Sequence, residues 1–246
     1  DASLIQINHP NSTQAFFDYV GFDATKPIDD LIGETFSLDF DTLEIHNSHD
    51  SLDDVYLKNL PDWYSLLNQG IRRTGVGAED THNARGTGTP RSLVRVADAA
   101  SSTEQPGSID PLIIAEAIRA GAVVASQGPF PELWINGAGV GEETTPEAGL
   151  GAEIVIRLRV QAPTWMRLGS ARLIRNGEVV ELIDLGDDGD ASAREVVRLD
   201  SERTRVEEGP AWYVLLVEGD DYRLGPLHTG DSPFAITNPV FVGPAL

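Results

Sequence analysis

Arg72-Arg73-Thr74-Gly75-Val76-Gly77-Ala78-Glu79-Asp80-Thr81-His82 is the stretch on which the reading of the fold turns. Its first half is a short strand, and its second half delivers an acid and a histidine at the strand's end. Alternate residues of an extended segment project to one side, so Asp80 and His82 can converge on one cation. Upstream, Leu4-Ile5-Gln6-Ile7-Asn8 reads as a buried strand stopped at His9-Pro10, because proline has no N–H for the ladder. A helix is expected over residues 12–19, then a strand Thr42-Leu43-Glu44-Ile45 ending at His46-Asn47. Val55, Leu57, Leu60, Trp63, Leu66 and Leu67 recur at helical spacing, with a restart at Pro61-Asp62 and a stop at Gly70. Strands alternating with helices predict a parallel α/β sheet or barrel, whose chemistry gathers at the strands' C-terminal ends. His9, Glu44, Asp80 and His82 all fall there.

Downstream the pattern changes. Residues 100–110 have linker composition, and Asp110-Pro111 opens a helix that runs to about Ala120. Strand-like runs then cover 122–126, 132–135, 152–161, 171–174, 178–184, 194–200, 212–218 and 235–242. Asn136-Gly137 and Asn176-Gly177 are strong hairpin-turn signals. This half predicts an antiparallel β-sandwich or barrel.

Composition narrows the function classes. The 246 residues carry 39 acids against 18 bases, a net charge of −21 that repels phosphate backbones and anionic lipid. Nucleic-acid partners and membrane insertion are therefore not expected, and no apolar run reaches the ~18–20 residues of a membrane span. Cysteine is absent, so disulfides, thiolate metal sites and a cysteine nucleophile are excluded together. The start, Asp1-Ala2-Ser3, lacks a signal peptide's basic and apolar regions and an initiator Met, as in a mature product or a fragment.

The constellation with most chemical content is His9, Asp80 and His82, expected to share one divalent ion. Glu44 and Asn8 are placed to orient a ligand or a water. Arg91, in Gly88-Thr89-Pro90-Arg91, is a candidate clamp for an anionic substrate. His46 and His49 lie near Asp50, Asp53 and Asp54 and read as a solvated loop, and His228 reads as a surface residue. Gly86-x-Gly88 lacks the third glycine of a dinucleotide fingerprint, and Asp188-Gly189-Asp190 lacks the later residues of a calcium loop.

Ile7-Asn8-His9-Pro10, Leu43-Glu44-Ile45-His46-Asn47, Asp62-Trp63-Tyr64-Ser65-Leu66-Leu67-Asn68-Gln69-Gly70 and Gly77-Ala78-Glu79-Asp80-Thr81-His82 occur in that order, followed by Gly88-Thr89-Pro90-Arg91. The series resembles the second half of a PHP-type (polymerase and histidinol phosphatase) metal-dependent hydrolase, of the branch with a C-terminal β-rich extension. Gly121-Ala122, Gln127-Gly128-Pro129, Asn136-Gly137 and Thr237-Asn238-Pro239 resemble that branch as well. The resemblance implies a distorted (β/α)₇ barrel with a centre of divalent metal ions (zinc, manganese or iron), in which His9, Asp80 and His82 match ligand positions. It implies a phosphoesterase acting on a small-molecule phosphoester or related ester. Two departures stand out. Glu79-Asp80-Thr81-His82 replaces the usual S-D-x-H, and the family's H-x-H segment is absent from the chain.

The expected class is thus α/β plus all-β. Residues 1–105 would form a partial (β/α) PHP-like barrel, and 106–246 a helix plus an antiparallel β-sandwich domain. A half-barrel leaves a sheet edge to be paired, so an N-terminal half of the same precursor is expected to complete it. The rival expectation is a non-catalytic binding or structural protein that works through the sandwich.

Overall fold

The computed structural model describes residues 3–11, 15–32, 36–48, 50–81, 88–96, 110–146, 149–186, 195–219 and 232–243. The expected boundary near residue 105 and the candidate ligand His82 lie outside them, as do His49 and His228. The first elements are β1 (Gln6–Ile7), α1 (Phe16–Val20), a 3₁₀ turn (Ile28–Asp30) and β2 (Thr42–Asn47). A nearly continuous helix follows in three pieces: α2 (Leu52–Asp54), a π-helical turn (Val55–Asn59) and α3 (Leu60–Asn68). It leads to β3 (Thr74–Ala78). Next come β4 (Arg91–Val94), α4 (Pro111–Arg119), β5 (Val123–Ser126), β6 (Phe130–Ile135), β7 (Ala138–Gly139) and β8 (Glu143–Thr144). The remaining strands are β9 (Ala152–Gln161), β10 (Ser170–Arg175), β11 (Glu178–Asp184), β12 (Val197–Glu207), β13 (Ala211–Glu218), β14 (Phe234–Thr237) and β15 (Val240–Val242).

Among the described residues these strands form three sheets. A small parallel sheet runs β1-β2-β3. A large sheet runs β11-β10-β13-β14-β5-β4, with β15 paired to β13 and β8 paired to β15. A third runs β12-β9-β6-β7. Strand residues outnumber helical ones, 41% against 18%, and no closed barrel is present among the described residues. This corrects the expected partial (β/α) barrel. The parallel run β1-β2-β3 ends at β3, and β4 instead joins the large sheet antiparallel to β5.

Side chains stand where a fourth parallel strand would be. The Asn238 amide accepts from Gly75 N–H (2.7 Å) and donates to Gly75 C=O (2.8 Å) and to Val123 C=O (2.9 Å). Ser92 Oγ accepts from Gly77 N–H (3.1 Å) and donates to Gly77 C=O (3.0 Å). The free edge of β3 is thereby satisfied without extending the sheet, as buried backbone groups require.

The core is organised by β13, whose alternate residues serve two layers. Trp212, Val214 and Leu216 pack with Trp63, Leu66 and Leu67 of α3, whereas Ala211, Tyr213, Leu215 and Val217 pack with Leu133, Ile154, Ile156 and Leu158 of the third sheet. At β13 the large sheet is therefore buried on both faces, which explains the near-continuous apolar run of that strand. At about 1.5–3 kcal/mol per buried large side chain, this strand is a principal source of stability. The helix face seen in the sequence is fixed by Trp63, which is fully buried and donates from Nε1 to Arg73 C=O at 2.8 Å. A Cβ on Gly75 would lie 2.8 Å from Ile45 Cδ1 and 2.9 Å from the Trp63 ring, so glycine lets α3 settle onto β3. Among the described residues no helix is long and apolar enough to cross a membrane.

Candidate functional site

The parallel register pairs Ile7 with Leu43, and Leu43 with Gly75, so β1, β2 and β3 open on one edge. His9 lies two residues beyond β1, Glu44 lies within β2 and Asp80 lies two residues beyond β3. Both His9 (φ 31°) and Asp80 (φ 44°) adopt the left-handed conformation, uncommon outside glycine, and so turn the chain sharply at the strand ends. In β2 the pairing slips between Glu44 and His46, leaving Ile45 as the extra residue of a bulge. Such bulges re-aim side chains near a strand's end.

Glu44 is only 2% exposed. Its Oε2 accepts the His9 N–H in a very short hydrogen bond and the Asn47 side-chain amide at 3.2 Å. The Asn47 main-chain N–H donates to Asp50 Oδ2 (3.0 Å), which also accepts from Asn59 Nδ2 (2.8 Å). Asn59 Oδ1 accepts from Asn11 Nδ2 (3.0 Å), and the same Asn11 nitrogen donates to Asp62 Oδ2 (2.8 Å). One hydrogen-bonded chain thus runs from His9 through Glu44, Asn47, Asp50, Asn59 and Asn11 to Asp62.

The π turn places Asn59 in this chain, fully buried and also donating to Ile45 C=O at 3.3 Å. Pro61, two residues on, has no N–H to give an ordinary helical bond to Leu57, so the wider register costs little there. Burial pushes the carboxyl of Glu44 above its ordinary value, against the pull of the His9 N–H, the Asn47 amide and the His9 imidazole. Asp50 is raised for the same first reason, against hydrogen bonds from Asn47 and Asn59. Asp62 is pushed from 3.8 to about 6 by burial, with only Asn11 opposing. None of the three owes a lowering contribution to a lysine or arginine.

The structure brings His9 together with Glu44 and sets Asp50 close enough for its charge to be felt by the histidine. Asp80 lies at the same edge, beyond β3. Its neighbour Glu79 clasps loops: the Glu79 carbonyl accepts from Ser48 Oγ and its carboxylate accepts the Gly88 N–H. Asn8 turns to Gln6, whose amide donates to Asn8 Oδ1 at 2.7 Å. Arg91 is exposed at the start of β4, the strand beside β3. His46, read as part of a solvated loop, is instead 1% exposed in β2 and meets the Phe234 ring at 4.9 Å. Among the described residues no three His, Asp or Glu side chains converge to hold a metal ion. The described part of the edge therefore does not by itself fit an ion, and His82 lies outside it.

Comparison with protein-family models, curated proteins and solved structures finds no match. The PHP resemblance rests on the motifs alone.

Asn11, Asp50, Asn59 and Asp62 were not among the expected site residues. Asn59 and Asp62 are three apart, which on a helix places them on one face, and both precede or follow Pro61 in a strongly apolar segment. That spacing is the signal for this half of the chain. Asn11 carries no comparable signal, because its partners are 48 and 51 residues away, and the local bond from Asn47 N–H to Asp50 is ordinary turn chemistry that does not reveal Asn59.

Proposed function

We propose that the C-terminal edge of the parallel sheet is the active site of a metal-dependent hydrolase of the phosphoesterase type. His9, Asp80 and His82 would hold a divalent ion (zinc, manganese or iron), and Arg91 would meet the anionic end of a small phosphoester or related ester. An N-terminal half bearing an H-x-H segment would add ligands for a second ion. A bound ion at such an edge lowers the pKa of its water and stabilises charge on non-bridging oxygens.

The observation that carries this reading is the grip of Glu44 on the His9 main chain. A buried carboxylate spends a hydrogen bond to fix a left-handed strand end, and it does so beside acids that no lysine or arginine stabilises. Buried acids of raised pKa at a sheet edge are typical of working sites. Glu44 and Asn47 position His9, while Asp62, half-protonated near pH 6, is able to exchange a proton close to neutrality.

Titration of the chain with zinc and with manganese, followed calorimetrically, tests the proposal. One equivalent is expected to bind, and His9→Ala, Asp80→Asn and His82→Ala should each weaken it at least tenfold. A chain that binds neither ion, or one whose binding ignores all three substitutions, overturns the assignment.

A further inference from the structure

The two edges of the sandwich are finished differently. At one edge β11 and β12 are joined across the sheets by Arg203, whose Nε lies 2.6 Å from both Glu181 carboxylate oxygens. At the other, β4 and β5 overhang β6 and the two-residue β7, and a cavity of about 490 Å³ remains between them. Its walls include Leu93, Val124, Phe130, Leu133, Trp134 and Val140.

Two charged residues line it, and both are already engaged. Arg95 Nη2 donates to Glu142 Oε1 (2.6 Å) and Val140 C=O (3.1 Å). Glu132 Oε2 accepts from Gln161 (3.1 Å) and lies 3.7 Å from Arg159 Nη1. We propose that this cavity binds a small, neutral, apolar molecule of aryl or acyl character.

Size and charge select that occupant. The volume falls within the range of ligand pockets, about 300–1,000 Å³, whereas a stable protein partner needs roughly 800 Å² of surface on each side. The lining is apolar between Arg95 and Glu132, and each of these already meets an opposite charge, so the cavity offers a charged ligand no free counter-charge. The site is independent of the hydrolytic reading, because it involves none of the residues at the parallel edge.

The test is a fluorescence titration with the neutral probe N-phenyl-1-naphthylamine, paired with its sulfonated relative 1-anilinonaphthalene-8-sulfonate. Saturable binding of the neutral probe at one site is expected, at least tenfold tighter than the sulfonate. Val124→Trp should fill the cavity and weaken the neutral probe at least tenfold. Trp134→Phe should keep binding but lose most of the energy transfer from tryptophan to the probe, and this decides the matter if the filled variant does not fold. Absence of saturable binding, equal affinity for the sulfonate, a folded Val124→Trp that binds like the parent, or transfer unchanged in Trp134→Phe would each overturn the proposal.

Discussion

Among the described residues two places bury carboxylates, and they treat them in opposite ways. In the sandwich, Glu207 at the end of β12 is 1% exposed. Burial pushes its carboxyl up, but hydrogen bonds from Arg175 and Tyr213, with the arginine's charge, outweigh that and hold it below the usual range. At the parallel edge Glu44, Asp50 and Asp62 receive amide donors and a histidine but no guanidinium, and burial wins. A buried acid with a fork-shaped cation is a structural rivet; a buried acid without one is held ready to change protonation. The contrast separates scaffold from candidate site more sharply than exposure does, since both sets are largely hidden from water.

The largest effect should come from the rivet. Glu207→Gln leaves the Arg175 guanidinium without its counter-charge, and a loss of about 3 kcal/mol in urea unfolding is expected. A loss below about 1 kcal/mol would mean that the pair is exchanged for water at little cost.

A smaller, pH-dependent effect belongs to Asp62. Its folded pKa, about 6, lies above the usual 3.8, so the native state binds more protons than the unfolded chain between those values. Its contribution is complete below about pH 4 and is lost as the pH rises through 6. In Asp62→Asn that decline should flatten, by on the order of 1–2 kcal/mol once solvent screening of this half-buried group is allowed for. Parallel stability–pH curves for parent and variant would remove Asp62 from the contrast.

The smallest effect should be that of Glu44→Gln at neutral pH. The amide keeps an acceptor for His9 N–H and Asn47 while removing a charge that burial disfavours, so stability should move by less than about 1 kcal/mol. A loss as large as that of Glu207→Gln would place Glu44 among the rivets and erase the distinction.

Much of the candidate site was readable as isolated pieces. His9 and Asp80 stand beyond strand ends, as the proline after His9 and the apolar runs before them lead one to expect, whereas Glu44, expected at a strand end too, lies inside β2. What could not be read was the chain that joins them. Asn11, Asn59 and Asp62 meet only because the helix crosses back over β2, and Asp62 is shifted by the low polarity of its surroundings rather than by any neighbour in sequence. His46 was misread for the same reason: three aspartates follow it closely, yet the bulged strand carries it under Phe234.

Local rules determined the elements whose cause is local. The turns at Asn136-Gly137 and Asn176-Gly177 have positive φ at both residues, as Asn and Gly tolerate best, and their hairpins form where the dipeptides stand. Asp110 accepts from the Leu112 N–H and starts α4 ahead of Pro111. The assignment of strands to sheets was decided elsewhere. The run 212–218 was legible as a strand of an antiparallel sheet, but not the covering of both its faces, by α3 on one side and the third sheet on the other. Short apolar strands such as β1, β2 and β3 fit a barrel and a small open sheet equally well, and only the packed molecule chose between them, by setting the Asn238 and Ser92 side chains on the edge of β3 where a barrel would have continued. Turn chemistry acts through one residue's own φ, whereas sheet partnership is settled by which distant surfaces exclude water together.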